Sequence, residues 1–239
     1  MKMIGRNAKH INAALLSLAL VFGGALAHAG NHAATQTAAT QAALTPDKAL
    51  EMLKTGNERF VKGKPAKRDL RKQVAATADG QYPHSVVLGC IDSRVPPEMV
   101  FDQGIGDIFS PRIAGNFITT DLLGSMEFAA GVAGSKLIVV LGHSECGAVK
   151  GACDGVEVGN LTSTLANIAP AIYAVTDVKG ERNSKNPAFV DAVAHENVNQ
   201  TVANILERST MLAGLVESGD LKVVGAMYSV ATGEVTFMD

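Results

Sequence analysis

Two short apolar runs that end at reactive side chains constrain the fold of this chain more than any other feature. HSVVLGC at 84–90 and KLIVVLGH at 136–143 are continuous, β-branched segments of strand length. Such runs are typical of strands that are buried on both faces of a parallel sheet. In open parallel sheets, ligands bind beyond the carboxyl ends of the strands. The pattern therefore predicts that Cys90 and His143 lie at one edge of the same sheet.

The side chains at these strand ends form a set of metal ligands. Cys146 follows His143 by three positions and falls in the first turn of a predicted helix, while Cys90 arrives from a neighbouring strand. Zinc takes thiolate and imidazole ligands in tetrahedral geometry, and a catalytic site leaves one position to water or substrate. A helix N-terminus also favours a thiolate. We therefore predict one Zn²⁺ per subunit at these three residues.

Asp92 and Arg94 follow Cys90 at the point where the strand gives way to a loop. An arginine can hold a carboxylate bidentately, which keeps the carboxylate ionised and oriented. Asp92 can then accept a hydrogen bond from zinc-bound hydroxide and direct that nucleophile at an electrophile. Alternatively, Asp92 can occupy the fourth coordination position and close the site. Both arrangements are compatible with the sequence.

The chain alternates strand and helix patterns around these motifs. Four strands are predicted, and a short partner follows the last of them: 84–90, 107–114, 136–143, 221–230 and 234–238. Alternating strands and helices indicate an α/β protein. The predicted fold is a mostly parallel sheet of four strands plus an antiparallel edge strand, flanked by helices, with an N-terminal helical arm.

Two of the predicted helices have clear start signals. Thr45 is a good N-cap, and the amphipathic pattern that follows it predicts an arm helix ending at Gly63. A second helix is predicted over 119–134, with Thr120 or Asp121 as its cap.

Residues 1–29 carry the pattern of a secretory signal peptide. Basic residues precede an apolar stretch at 11–27, and small residues then allow cleavage after Ala29. The alternative is an uncleaved membrane anchor, since about 17 apolar residues is the lower limit for a spanning helix. We expect a periplasmic or secreted protein that has no membrane attachment once the signal is removed.

The remainder of the chain is expected to be one domain. Residues 30–44 are rich in Ala, Thr and Gln and predict a flexible leader, whereas 45–239 have the length and apolar content of a single catalytic domain. The formal net charge of −2 gives no reason to expect a nucleic-acid partner. Three cysteines are too few for a disulfide scaffold.

At these motifs the chain resembles the β-class carbonic anhydrases, as an exported bacterial member. The resemblance rests on CIDSRVP at 90–96, RIAGN at 112–116 and GHSECGA at 142–148. ALEMLKTGNERF at 49–60 is also similar to the N-terminal arm helix of that family. The similarity spans residues 45–239.

The resemblance implies reversible hydration of CO₂ to bicarbonate and a proton, by attack of zinc-bound hydroxide. It implies that Cys90, His143 and Cys146 hold the zinc and that Asp92 and Arg94 act as a catalytic dyad. It also implies an obligate homodimer, often paired into a tetramer, in which the N-terminal helices wrap the partner.

Five further positions correspond to substrate contacts in the family. Gln81 matches a glutamine that is contributed across the dimer interface. Phe109 and Ala114 match apolar wall positions, and Gly115 matches a backbone position near the substrate. Phe128 falls where plant-type members have a tyrosine, so a hydroxyl partner is missing there.

Other interpretations of the same residues stay open. The site can instead hydrolyse a CO₂ analogue such as carbonyl sulfide or carbon disulfide. A non-catalytic zinc protein, or a thiol redox protein with a Cys90–Cys146 disulfide, is the alternative from a different class. Cys153 is expected to be a small buried residue, and His84 is a candidate proton carrier.

Overall fold

The computed structural model describes residues 33–238, so the predicted signal segment at 1–29 lies outside the described residues. Five strands form one sheet in the order β2-β1-β3-β4-β5. The pairings from β2 to β4 are parallel, and β5 is antiparallel at the edge. The strands are β1 Ser85–Gly89, β2 Ile108–Phe109, β3 Leu137–His143, β4 Lys222–Tyr228 and β5 Val235–Phe237. The predicted α/β class and the mostly parallel sheet are confirmed.

Ten α-helices are present in the described part of the chain, together with one π-helical turn, Phe128–Val132. The first five are α1 Ala38–Ala42, α2 Pro46–Val61, α3 Leu70–Ala76, α4 Pro97–Val100 and α5 Thr120–Glu127. The others are α6 Gly147–Cys153, α7 Gly159–Ala166, α8 Ala169–Ala174, α9 Pro187–Arg208 and α10 Thr210–Glu217. None of the described helices is long and apolar enough to cross a membrane.

Strands β1 and β3 are buried along their whole length, as their continuous apolar runs predict. Successive side chains of a strand point to opposite faces of the sheet, so one strand can serve two cores. Val86 and Ile138 belong to the core that α9 and α10 cover. Val87 and Val139 belong to the core that contains residues of α2 and α4. The sheet therefore lies between two helical layers.

The second strand is shorter than the 107–114 predicted from sequence. Regular pairing with β1 stops at Phe109, and Pro111 follows two residues later. Proline has no N–H to donate to a neighbouring strand, which interrupts the ladder. An isolated parallel bridge between Gly89 and Arg112 restores contact with β1 further along.

The helix caps agree with the prediction in one case and differ in another. The Thr45 side chain accepts a hydrogen bond from the Lys48 amide at 3.2 Å, as expected for the start of α2. Helix α5 is capped by Thr119, whose hydroxyl accepts from the Leu122 amide, so the prediction of Thr120 or Asp121 is wrong by one or two residues. Thr119 has the extended backbone that an N-cap requires, whereas Thr120 and Asp121 are already helical.

Part of the predicted flexible leader is a docked helix. The segment 30–44 contains α1, whose N-terminus is stabilised by a capping box between Thr37 and Thr40. Gln41 is buried and donates to the carbonyls of Pro83 and Ala133, each at 2.8 Å. The structure differs from the prediction here because one long polar side chain reaches two backbone acceptors that the sequence does not reveal.

Replacing Gln41 by alanine is expected to lower the free energy of unfolding by about 1–2 kcal/mol, because two hydrogen bonds to buried carbonyls are lost. Urea unfolding of the variant and the parent measures this difference. Gln36→Ala is the control, since Gln36 only accepts a hydrogen bond from Thr40, and a change within about 0.5 kcal/mol is expected. Equal effects of the two substitutions would contradict the docking of α1 through Gln41.

Candidate metal centre and active site

Three metal-binding side chains meet at the carboxyl edge of the sheet. Cys90 directly follows β1, His143 is the last residue of β3, and Cys146 is the N-cap of α6. Strands β1 and β3 are adjacent and parallel, so their carboxyl ends lie at the same edge. All three residues are buried, and their ligand atoms lie within 4.8 Å of one another. The structure thus brings together the three side chains that the sequence predicts as zinc ligands.

The turn between His143 and Cys146 is held by contacts with the end of β4. Ser144 donates its amide to the Tyr228 carbonyl at 2.9 Å, and its hydroxyl accepts from the Val230 amide at 3.1 Å. Glu145 has a φ of 58°, a left-handed conformation that costs energy for a residue with a side chain. This tight turn brings Cys146 back towards the imidazole.

The imidazole of His143 is arranged for a ligand. Its Nδ1 lies 2.9 Å from the Ser144 carbonyl, which can only accept, so Nδ1 carries the proton and donates it. Its Nε2 is buried and has no hydrogen-bond partner within the described chain. A buried polar atom without a partner is costly unless something else satisfies it. The Nε2 lone pair is therefore available to a metal ion.

The two thiols fit the same interpretation. The Sγ atoms of Cys90 and Cys146 are 4.0 Å apart, whereas a disulfide needs about 2 Å. Two thiolates on a tetrahedral zinc with bonds of about 2.3 Å lie about 3.8 Å apart. The hydrogen bond between the thiols lowers the pKa of Cys90 to about 4 and raises the pKa of Cys146 above its usual range. The donor set therefore fits zinc.

Asp92 and Arg94 form a bidentate pair at the rim of this cluster. Asp92 Oδ1 accepts from Arg94 Nε at 2.9 Å, and Asp92 Oδ2 accepts from Arg94 Nη2 at 2.7 Å. These bonds hold the pKa of the Asp92 carboxyl well below its usual range. Asp92 Oδ2 also lies 3.9 Å from His143 Nε2. The carboxylate is thus ionised and close to the metal-binding atoms while both of its oxygens are engaged by Arg94.

Arg112 holds the backbone of the Cys90–Asp92 turn, a role that sequence reasoning missed. Its Nε donates to the Cys90 carbonyl at 2.7 Å, and its Nη2 donates to the Asp92 carbonyl at 2.6 Å. Arg112 belongs to the RIAGN motif, but nothing in the motif shows that its side chain crosses to the first motif. Two charge-assisted bonds of this kind fix the residues that carry the thiol and the carboxylate.

Replacing Arg112 by methionine is expected to weaken zinc binding by about 10-fold, because the turn that orients Cys90 loses both bonds. Competition with a chromophoric chelator measures the zinc affinity. Arg182→Met is a matched control, since Arg182 also donates to two backbone carbonyls, those of Ile172 and Val175, away from the cluster. The same loss of affinity in both variants would contradict a specific role for Arg112.

Two of the five predicted substrate-contact residues lie at the cluster. Ala114 lines an apolar cavity of about 230 Å³ together with Cys90 and Asp92. Gly115 donates its amide to Cys90 Sγ at 3.4 Å and has a φ of 89°. A Cβ atom on Gly115 would lie 2.6 Å from the Ile168 side chain, so glycine is required at this point.

The other three predicted contacts do not reach the cluster within one subunit. Phe109 and Phe128 pack edge to face with ring centroids 6.3 Å apart, and they line a separate cavity of about 630 Å³. Gln81 is exposed and precedes β1, so it lies at the opposite end of this strand from Cys90. One subunit therefore brings Ala114 and Gly115 to the ligands but leaves these three residues elsewhere.

His84 is fully buried in this structure and cannot pass a proton directly to solvent. It is fully buried at the start of β1, with Nδ1 2.7 Å from Ser85 Oγ and Nε2 3.0 Å from Gln103 Oε1. Burial lowers the pKa of its imidazole. Cys153, which was predicted to be a small buried residue, is half-buried and lies outside the three-residue cluster.

The fold and the cluster define an α/β protein with a buried cysteine–histidine–cysteine cluster that could hold a metal ion at the carboxyl edge of a mostly parallel sheet. A family profile described as carbonic anhydrase matches residues 85–235. Carbonic anhydrase 2 of Mycobacterium tuberculosis is 38% identical over 195 residues, which cover 81% of this chain and 93% of the relative. A carbonic anhydrase of Mycolicibacterium smegmatis is 38% identical over 192 residues, with coverage of 80% and 92%.

Solved structures agree with these relatives. The β-carbonic anhydrase CafA of Aspergillus fumigatus superposes with a TM-score of 0.60 at 25% identity, over 81% of this chain and 90% of that protein. A study of two tetrameric β-carbonic anhydrases of Sordaria macrospora gives a match with a TM-score of 0.58 at 25% identity, over 70% and 90%. The chain therefore belongs to the β-class carbonic anhydrase family. The predictions of this family and of an enzyme of the carbonic anhydrase type are confirmed.

Proposed function

We propose that the protein catalyses the reversible hydration of CO₂ to bicarbonate and a proton, with one zinc ion per subunit held by Cys90, His143 and Cys146. The observation that carries the proposal is the buried set of two thiols and one unpartnered imidazole nitrogen, with an ionised carboxylate beside it. When bound there, zinc would lower the pKa of a water molecule from about 15.7 towards about 7 and so provide a nucleophile near neutral pH.

The residues around the ligands have separate tasks in this proposal. Asp92 accepts a hydrogen bond from the nucleophile and orients its lone pair towards the carbon of CO₂. Arg94 keeps that carboxylate ionised and fixed through its two hydrogen bonds. Ala114 and Leu165 line the apolar cavity, which suits uncharged CO₂ better than a charged competitor.

We also propose that Asp92 is a dyad partner in the resting protein and not a fourth ligand. Both of its oxygens accept from Arg94, so ligation would require the carboxylate to give up charge-assisted hydrogen bonds. The lowered pKa of Asp92 means that protonation does not release it from Arg94 near neutral pH. This arrangement leaves the fourth coordination position to water or substrate.

The proposed assembly is a homodimer or a tetramer. Gln81, Phe109 and Phe128 lie away from the cluster of their own subunit, which supports contacts to a site in a partner. The tetrameric Sordaria macrospora enzymes support the same proposal. Sedimentation velocity on the purified protein tests it, and a monomer that retains full activity would contradict it.

Export to the periplasm or the medium is the proposed localisation. The basic residues, apolar stretch and small residues before Gly30 support it. Mass spectrometry of protein recovered from the periplasmic fraction of the expressing cells should show a new N-terminus at Gly30. Recovery of the full-length chain in the cytoplasmic fraction alone would contradict this proposal.

Stopped-flow CO₂ hydration, with the zinc content of the same sample, tests the function directly. We expect turnover at about pH 7 and faster turnover at about pH 8.5, because more of the nucleophile is deprotonated at the higher pH. Turnover at the higher pH alone would contradict the proposed open resting state. Stoichiometric zinc without turnover at either pH would contradict the proposed function.

A further inference from the structure

A buried asparagine on the longest helix contacts the loop behind the metal centre. Asn197 lies in the middle of α9, is 3% exposed, and donates Nδ2 to the Gly115 carbonyl at 2.8 Å. Asparagine is a weak helix former, and a buried amide costs stability unless its hydrogen bonds are made. The bond to Gly115 therefore accounts for a polar residue at this position of an otherwise largely apolar helix face.

Gly115 links this asparagine to the first ligand. The amide nitrogen of Gly115 is 3.4 Å from Cys90 Sγ, and the carbonyl oxygen of Gly115 accepts the hydrogen bond from Asn197. A side chain at residue 115 would collide with Ile168, so the position must be glycine. Glycine does not restrict its own φ and ψ, and the direction of its N–H therefore depends on external contacts. Asn197 is the side chain that donates a hydrogen bond to this residue.

We propose that Asn197 is a positioning residue of the metal centre, which holds Gly115 so that the Gly115 N–H donates to the Cys90 thiolate. The inference rests on the proposed function in that Cys90 is taken as a zinc ligand. An N–H bond to a coordinated thiolate withdraws negative charge from the sulfur and fixes the direction of its lone pairs. Asn197 thereby influences both the affinity of the site and the charge that reaches the metal, without touching either metal or substrate.

The test compares Asn197→Leu with Thr201→Val. Leucine has the same branching and the same number of side-chain heavy atoms as asparagine but cannot donate to Gly115. Thr201 lies one turn further along α9, is 2% exposed, and makes no side-chain hydrogen bond within the described chain, so it controls for a general disturbance of the helix. Zinc affinity, from chelator competition, is expected to fall by about 10- to 100-fold in Asn197→Leu and to stay unchanged in Thr201→Val.

A spectroscopic signature separates positioning from a merely structural role. In the cobalt-substituted protein, the sulfur-to-metal charge-transfer band of Asn197→Leu should move to lower energy, because the thiolate loses a hydrogen bond. The band of Thr201→Val should not move. An Asn197→Leu protein that folds and keeps both the affinity and the band of the parent would overturn the inference.

A measurement on the unaltered protein covers the case in which Asn197→Leu does not fold. With an NMR-active cadmium isotope in the site, the Gly115 amide proton should show scalar coupling to the metal through the N–H···S bond. Absence of that coupling in a cadmium-loaded protein would contradict the inference. A protein that shows the coupling but does not hydrate CO₂ would contradict the proposed function alone.

Discussion

Substituting Cys146 by serine is expected to remove zinc from the protein and to abolish CO₂ hydration. Cys146 is one of the three buried side chains of the candidate metal cluster, and its Sγ is 4.0 Å from that of Cys90, close to the spacing that a shared zinc requires. A serine hydroxyl does not ionise near neutral pH and cannot replace a thiolate. The loss of affinity should exceed the factor of about 10–100 that follows removal of an outer partner of a metal ligand.

The chain provides a matched control for this substitution. Cys153 lies on the same helix, α6, but its thiol is outside the cluster, so Cys153→Ser should keep full zinc and full turnover. Zinc per subunit, measured after gel filtration by mass spectrometry of the metal, distinguishes the two variants. Stoichiometric zinc in Cys146→Ser, or loss of zinc in Cys153→Ser, would contradict the assignment of the ligands.

Replacing Asp92 by asparagine is expected to leave zinc bound and to lower kcat by about 100-fold or more, because the carboxylate that accepts a hydrogen bond from the nucleophile and orients it is lost. Asparagine has nearly the same shape, but it has one accepting oxygen and no charge, so it cannot form the bidentate pair with Arg94. Stopped-flow rates and zinc content of the same sample measure the two effects separately. Asp191→Asn, at an exposed position of α9, is the control and should retain parental rates. Unchanged kcat in Asp92→Asn would remove Asp92 from the mechanism.

The lowered pKa of Asp92 also predicts how its contribution to the free energy of unfolding changes with pH. The hydrogen bonds from Arg94 are the main cause of the shift. A carboxyl whose pKa is lower in the folded than in the unfolded protein stabilises the fold above the unfolded value of about 3.9. That contribution is lost as the pH falls below this value through the folded pKa. Urea midpoints should therefore differ least between Asp92→Asn and the parent at the acid end of the range.

The sequence alone was sufficient to predict the central strands and the three side chains that cluster at their ends. The runs that end at Cys90 and His143 are continuous, apolar and of strand length, which favours strands buried on both faces of a parallel sheet, as observed. Cys146 follows from its spacing to His143 at the start of the next helix. These features depend on residues that are close together in the chain, so they can be predicted from local sequence patterns.

Only the tertiary structure decided which groups distant in sequence contact the residues at the carboxyl edge of the sheet. Arg112 bonds to carbonyls 22 and 20 residues earlier in the chain, and Asn197 reaches Gly115 across 82 residues. Gln41 similarly docks α1 by bonding to two carbonyls remote in sequence. No local periodicity encodes these contacts, because each depends on how whole elements pack.

Long-range packing also explains why only two of the five predicted substrate-contact residues lie near Cys90. Ala114 and Gly115 lie beside Cys90, while Gln81 lies at the far end of β1 and the pair Phe109–Phe128 lines another cavity. The sequence by itself therefore determined the family, the sheet and the donor atoms, because short-range pattern and motif spacing carry that information. The tertiary structure decided what holds those donors in place and which predicted contacts one subunit can supply, because long-range packing sets the direction of each side chain.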